Sequence, residues 1–234
     1  MSRKLRAGAL LAAVVLLCGC SGLSFLHGGG RHSSAVRRPA VVSEELPFLP
    51  PSEGDKIAVI ETSEGTIRAV LYPEIAPQTC TCFEQLAEAG YYDGLSFSRA
   101  EEGFMIESGL AEDGSAATPW DGKTYLPEYS KRLLHYSGAL CMAVNSSGKQ
   151  AGVFYIVTAL PDSVSEERKQ ELTAAERSEG AADAYVQGGG LPELDFTDTV
   201  FGQVFEGMEA ADRIASSGTG TVISVRTEQY TAAS

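Results

Sequence analysis

Apolar side chains alternate with polar ones from Lys56 to Tyr72, at Ile57 and Val59 and again at Ile67, Ala69 and Leu71, on either side of Ser63-Glu64-Gly65-Thr66. A period of two sends successive side chains to opposite faces of a strand, and a short polar stretch with Gly joins two such runs, so the segment predicts a β-hairpin. The period then changes. Pro77 stands where a first helical turn tolerates proline, and Cys80, Phe83, Leu86 and Ala87 recur at helical spacing before Gly90, which predicts an amphipathic helix over 77–89 with its stripe in the core. Leu95 to Arg99 and Phe104 to Gly109 read as two short strands joined by an acidic loop, followed by apolar, β-prone runs at Gly138–Val144 and Val153–Thr158. Thr199–Phe205 alternates once more, a short helix carries Met208, Ala211 and Ile214 on one face, and Gly220–Thr227 supplies a last strand. Many short strands with two helices predict a barrel or sandwich whose ends the helices cap.

Two stretches fall outside this pattern. Pro161 to about Gly180 is charged and helix-prone, and Ser163-x-x-Glu166 fits a capping box. With few apolar anchors, the insertion, about 161–190, reads as a solvent-facing helix that decorates the domain or meets a partner. At the other end, Arg3, Lys4 and Arg6 precede the apolar run Ala7–Leu17, which is too short for a stable membrane span and reads as a signal peptide over 1–19. Its end, Leu17-Cys18-Gly19-Cys20, resembles a bacterial lipobox and implies Cys20 as a lipid anchor on the extracytoplasmic face of the cell membrane, the alternative being an ordinary secretory cleavage nearby. Residues 20–52, with Gly28-Gly29-Gly30 and Arg37-Arg38-Pro39, lack apolar periodicity and are expected to form a flexible tether; the folded domain is expected over 53–230.

Charge and composition narrow the chemistry. The 18 Lys and Arg less the leader's three leave 15 against 31 Asp and Glu, a net charge of −16, which excludes nucleic acid as a partner. Cys80 and Cys82, two apart on a helix, point in different directions, so buried free thiols are expected at these positions and at Cys141, with a bond from one of the pair to Cys141 as the alternative. His135 is the domain's one histidine, too few for a histidine-bearing metal cluster, and it reads as a surface or loop residue. No nucleophile sits in a recognisable elbow, so a hydrolase is disfavoured, and neither metal nor cofactor is expected.

The runs Tyr92-Asp93-Gly94-Leu95-Ser96-Phe97-Ser98-Arg99, Gly103-Phe104-Met105-Ile106-Glu107-Ser108-Gly109 and Thr199-Val200-Phe201-Gly202-Gln203-Val204-Phe205-Glu206-Gly207-Met208 resemble, in order and spacing, the signature segments of the cyclophilin family. Gly65-Thr66-Ile67 and Ala76-Pro77-Gln78-Thr79 match as well, so the resemblance spans about residues 56–228. It implies a mainly β fold, an eight-stranded antiparallel barrel capped by two α-helices, with the active groove on the outer face. It also implies a monomer that rotates X-Pro bonds in proline-containing polypeptides. Arg99 matches the catalytic arginine, and Phe104, Met105, Tyr155 and Leu194 match pocket positions, Tyr155 replacing the usual phenylalanine. Ala143 and Asp198 fall at further substrate-binding positions, Asp198 where histidine is common.

The departures from the family are acidic or apolar. Glu107 and Val153 stand where glutamines are usual, Glu193 where tryptophan is common, and Val144 or Asn145 where asparagine is usual. Two backbone-binding amides are thereby missing. A carboxylate at 107 either holds Arg99 in position or neutralises it. The resemblance then implies weak to moderate isomerase activity, a preference for Lys or Arg near the proline, and poor binding of the cyclic peptide that inhibits typical members. The alternative is a non-catalytic proline-peptide-binding module or chaperone.

Overall fold

The computed structural model describes residues 36–175 and 177–232. The expected leader, Cys20 and the first part of the tether lie outside them. Among the described residues eight strands form one antiparallel sheet: β1 (Lys56–Thr62), β2 (Gly65–Leu71), β3 (Arg99–Glu101), β4 (Met105–Ser108), β5 (Ala139–Val144), β6 (Gln150–Val157), β7 (Thr199–Glu206) and β8 (Val222–Gln229). Their order across the sheet is β3-β4-β6-β5-β7-β2-β1-β8. The sheet curls until its two ends meet: Gly94 N–H donates to Val222 O at 2.8 Å, Phe97 N–H to Gly220 O at 2.9 Å, and Val222 N–H to Leu95 O at 2.8 Å. Satisfying the edge groups in this way protects them from pairing with another chain.

The period-two reading determines what the curled sheet encloses. Ile60, Ile67, Ala69, Leu71, Ile106, Leu140, Met142, Phe154, Ile156 and Phe201 all point inward and make one core. Helix α1 (Pro77–Glu88) adds Cys80, Phe83 and Leu86 to it from one end. The Glu128 carboxylate accepts from Gln78 N–H (3.2 Å) and Thr79 N–H (2.9 Å), so an anion meets the free amides at the start of α1. All three cysteines in the described region are free and buried, and burial pushes Cys80 up to about 12 and Cys82 up to about 11, which keeps them as neutral thiols at physiological pH.

The insertion departs from expectation in three ways. It holds two helices, α2 (Glu166–Ala174) and α3 (Glu179–Gly188), before the last helix α4 (Met208–Ser217), which adds Ala210, Ala211 and Ile214 to the barrel core. The N-cap of α2 is Ser165, whose side chain accepts from Arg168 N–H, while Ser163 Oγ bonds both backbone groups of Gly190. Nor is the insertion merely solvent-facing: Val164, Leu172, Ala181, Ala182, Ala184 and Tyr185 pack with Leu134 and Tyr136 into a second, smaller core. Leu172 is the one buried residue of α2 and the buried stripe of α3 is mostly alanine, so neither helix shows a row of large apolar residues.

The expected tether also differs where it is described, because residues 36–52 lie on the domain. Arg38 donates from Nε to Asp212 Oδ2 at 2.9 Å and from Nη2 to Asp212 Oδ1 at 2.5 Å, and reaches the Thr158 and Ala159 carbonyls at 3.0 Å each. Phe48 packs against Tyr136 with ring centroids 4.8 Å apart and the rings tilted by 57°. A buried two-pronged ion pair and an aromatic contact are enough to dock a segment that carries no periodic signal of its own.

Candidate functional site

The outward side chains of five adjacent strands form a row. Arg99 pairs with Glu107 across β3 and β4, Glu107 with Tyr155 across β4 and β6, Tyr155 with Cys141 across β6 and β5, and Cys141 with Val200 on β7. Directly paired residues share a face, so this register lines up the five on the outside of the barrel. Met105, two residues from Glu107, and Val153, two residues from Tyr155, share that face by the same parity. Gly109 directly follows β4 with φ +107°, and a Cβ there would run into the Gly152 carbonyl oxygen, so this close approach of the chain to β6 requires glycine.

An apolar patch fills the middle of the row. Met105, Cys141, Tyr155 and Val200 are buried in it, with Phe104, Ala143 and Leu194 half-buried at its margin. The Arg99 guanidinium lies over the Phe104 ring, 4.7 Å from its centroid. Arg99, Met105, Glu107, Ala143, Val153 and Tyr155 therefore fall on one face, while Phe104 joins them from the turn before β4 and Leu194 and Asp198 from the loop before β7. Beside the patch, Glu107, Leu110, Ala143, Val144, Asn145 and Val153 line part of a recess of about 380 Å³.

Tyr155 and Asp198 explain each other. The Tyr155 hydroxyl donates to Asp198 Oδ2 at 2.8 Å, and Val144 N–H donates to Oδ1 of the same carboxylate at 3.0 Å. A phenylalanine in place of Tyr155 would leave one oxygen of that carboxylate without its hydroxyl partner. Burial raises the Tyr155 phenol well above its ordinary range, so it remains a hydrogen-bond donor at neutral pH.

The carboxylate that engages Arg99 is one that sequence reading passed over. Arg99 Nε donates to Glu101 Oε1 at 2.6 Å, the two side chains standing two residues apart on the same face of β3. Glu107 has a different setting: Ser98 Oγ approaches its Oε1 at 3.5 Å, and burial raises its carboxyl above the usual range despite the opposing pull of Arg99. Nearby Asp198 adds to the rise. Asn145 spends its side-chain oxygen on its own turn, accepting from Ser147 N–H at 2.9 Å and Lys149 N–H at 3.2 Å. Glu193 is exposed.

His135 corrects the reading of a surface residue. It is 1 % exposed, its backbone N–H donates to Asp195 Oδ1 at 2.9 Å, and its Nδ1 lies 3.1 Å from the same oxygen. Its ring stacks on Tyr155 with centroids 6.2 Å apart, behind the outer face of the groove. A lone histidine carries no periodicity, so only the fold reveals the carboxylate that accounts for its burial.

The chain is similar to known proteins in sequence and in fold. The family profile described as cyclophilin type peptidyl-prolyl cis-trans isomerase/CLD matches residues 57–231. A Staphylococcus aureus (strain COL) protein named as a peptidyl-prolyl cis-trans isomerase is 32 % identical over 169 residues, covering 72 % of this chain and 85 % of that protein. A Streptococcus pyogenes serotype M6 protein named as a bifunctional phosphatase/peptidyl-prolyl cis-trans isomerase is 34 % identical over 193 residues, which cover 80 % of this chain but 40 % of that longer protein. In fold, the chain resembles a Cryptosporidium parvum cyclophilin type peptidyl-prolyl cis-trans isomerase crystallised in the presence of the dipeptide Ala-Pro, with a TM-score of 0.56, 18 % identity, and coverage of 74 % of this chain and 99 % of that one. With a profile that spans most of the chain and a curled eight-stranded sheet carrying the matched residues on its outer face, the chain belongs to the cyclophilin-type peptidyl-prolyl cis-trans isomerase family.

Proposed function

We propose that this protein catalyses cis-trans rotation of X-Pro bonds in polypeptides that fold outside the cytoplasm, with Arg99 as the catalytic residue. The observation that carries the reading is the guanidinium of Arg99 at the edge of the apolar patch of Phe104, Met105 and Tyr155. The dipeptide Ala-Pro in the related Cryptosporidium parvum crystals supports a proline-containing ligand.

The chemistry needs no bond made or broken. Resonance along the X-Pro amide sustains the barrier to rotation, and twisting the bond localises a lone pair on the prolyl nitrogen. An apolar seat for the ring, a hold on the flanking backbone and a cation aimed at that nitrogen stabilise the twisted amide over both planar forms. Each 1.4 kcal/mol of such preference is worth about tenfold in rate. Arginine suits the task because it stays charged and its planar fork can hold a backbone carbonyl while it faces the nitrogen.

The acidic neighbours define the substrate. Glu101, Glu107 and Asp198 flank the patch, so peptides with Lys or Arg beside the proline are favoured, and part of the field of Arg99 is offset. Slow X-Pro isomerisation limits the folding of chains that have just crossed a membrane, and attachment through Cys20 would concentrate the enzyme there. A protease-coupled assay on proline peptides tests the reading. The full chain should accelerate isomerisation more for Lys-flanked than for Glu-flanked peptides, and Arg99→Ala should lose about a hundredfold in kcat/KM.

The 2.6 Å bond from Arg99 to Glu101 favours one second reading, a proline-peptide-binding module in which the cation is withheld from the amide. Equal, background-level rates for the natural chain and Arg99→Ala would establish it.

A further inference from the structure

Two side chains of the insertion end on a single carboxylate beside the groove. Asp195 follows directly on the turn Pro192–Leu194, and its side chain is 0 % exposed. Its Oδ1 accepts from the His135 backbone N–H at 2.9 Å and from the Tyr185 hydroxyl at 2.8 Å, and lies 3.1 Å from His135 Nδ1. Its Oδ2 accepts from Arg177 Nε at 2.8 Å. Arg177 also donates from Nη2 to the Pro192 carbonyl at 2.9 Å, gripping both ends of the turn. Tyr185 lies on α3 and Arg177 just before it, so both belong to the insertion. A carboxylate held by charge-assisted bonds from three segments of the chain is fixed in place.

The loop around Asp195 is the wall of the groove. Leu194 precedes it at the margin of the apolar patch, and Asp198 follows three residues later on the Tyr155 hydroxyl. Leu194 N–H donates to Leu191 O at 2.9 Å and Thr197 N–H to Leu194 O at 3.0 Å, which folds the loop tightly. Phe196 between them has φ +65°, a backbone setting that a bulky side chain adopts only when its surroundings enforce it. The Arg177 guanidinium lies 5.7 Å from the Phe196 ring centroid. At Gly190, which opens this stretch, a Cβ would come within 2.5 Å of the His135 carbonyl oxygen and of the Tyr185 ring, so loop and insertion are in direct contact.

We propose that Arg177 and Tyr185 are positioning residues for substrate: the insertion clamps Asp195 and so sets Leu194 and Asp198 against Tyr155. The inference rests on the reading of this groove as the proline site. A network that served only the insertion's own folding would leave peptide affinity unchanged, whereas a clamp on the wall acts on affinity through Leu194.

The test uses the full chain with Arg177→Met, Arg177→Lys and Tyr185→Phe, the last two keeping charge or ring so that the fold survives. Amide hydrogen exchange at Leu194 and His135 is compared with that of β5 and β6, and the Kd for the tetrapeptide Ala-Ala-Pro-Ala is measured by titration. Arg177→Met should speed exchange at Leu194 and His135 by roughly tenfold while the strands keep their protection, and raise Kd by roughly fivefold, with Arg177→Lys and Tyr185→Phe in between. In a Leu194→Ala background the Kd effect of Arg177→Met should shrink, because the main side chain through which it acts is gone. Unchanged exchange at Leu194, or an undiminished Kd effect in the Leu194→Ala background, overturns the clamp. If the natural chain binds no proline peptide, the groove reading fails instead, and the exchange at Leu194 and His135 decides the clamp by itself.

Discussion

Arginine meets carboxylate in two kinds of place in this molecule. Arg99 and Glu101 touch at 2.6 Å on an edge strand, with side chains 45 % and 52 % exposed. Arg177 with Asp195 and Arg38 with Asp212 are drawn inside, at 11 % and 0 % and at 17 % and 9 %. A pair in water contributes only about 0–1 kcal/mol, so Arg99 can leave Glu101 for a substrate at little cost. Removing one partner of a buried pair strands the other's charge and costs about 3–5 kcal/mol. Under the proposed function the exposed cation is the one free to move to a prolyl amide, while the buried ones hold segments of the fold together.

The sharpest way to break that contrast is Arg38→Ala. It should lower the unfolding free energy in urea by about 3 kcal/mol, because Asp212 is left buried without its two donors. A loss below about 0.5 kcal/mol would mean that the segment over 36–52 is not held as described. Tyr155→Phe comes next, with an expected loss of about 1–2 kcal/mol for removing the hydroxyl from the Asp198 carboxylate. Denaturation of both variants under the same conditions places the two effects on one scale.

The strands, and the two faces of β4, were legible in the sequence because a period of two that sends Ile106 inside sends Glu107 outside, whereas the continuous apolar runs of β5 and β6 left their faces open and the closed barrel came from the resemblance. Arg99 came from motif resemblance, since a single arginine on a strand has no pattern of its own. The rest depends on pairings with no local signal. Arg38 and Asp212 are 174 positions apart, and His135 and Asp195 are 60 apart. The insertion's core draws Leu134 and Tyr136 from before β5, Val164 from the turn before α2, Leu172 from α2 and Tyr185 from α3; α2 buries Leu172 alone and the stripe of α3 is mostly alanine, so neither helix shows a row of large apolar residues. Glu101 was missed for a different reason: Glu101 and Glu107 both share the face of Arg99, and only the side-chain contact shows which of them takes the guanidinium.

Smaller effects sharpen the exposed side of the contrast. Glu107→Gln should raise kcat/KM at neutral pH by roughly threefold, since it removes a charge directly across from the Arg99 guanidinium. Burial raises the Glu107 carboxyl, so the folded state favours its neutral form. The stability from that form is present at acid pH and lost as pH rises through the raised value, so the substitution should stabilise the protein at neutral pH. Both gains should fade as pH falls through that value, where the natural side chain is itself uncharged, and pH profiles of rate and stability for the two proteins check this. Glu101→Gln should be the mildest change, altering stability by less than about 0.5 kcal/mol.

The central claim concerns the barrier of a bound peptide, and exchange NMR of a proline peptide saturated with protein measures it directly. The natural chain should interconvert the bound cis and trans forms faster than Arg99→Ala by about a hundredfold while both bind the peptide. Equal bound-state exchange rates in the two proteins would contradict the account, leaving a groove that holds proline without turning it.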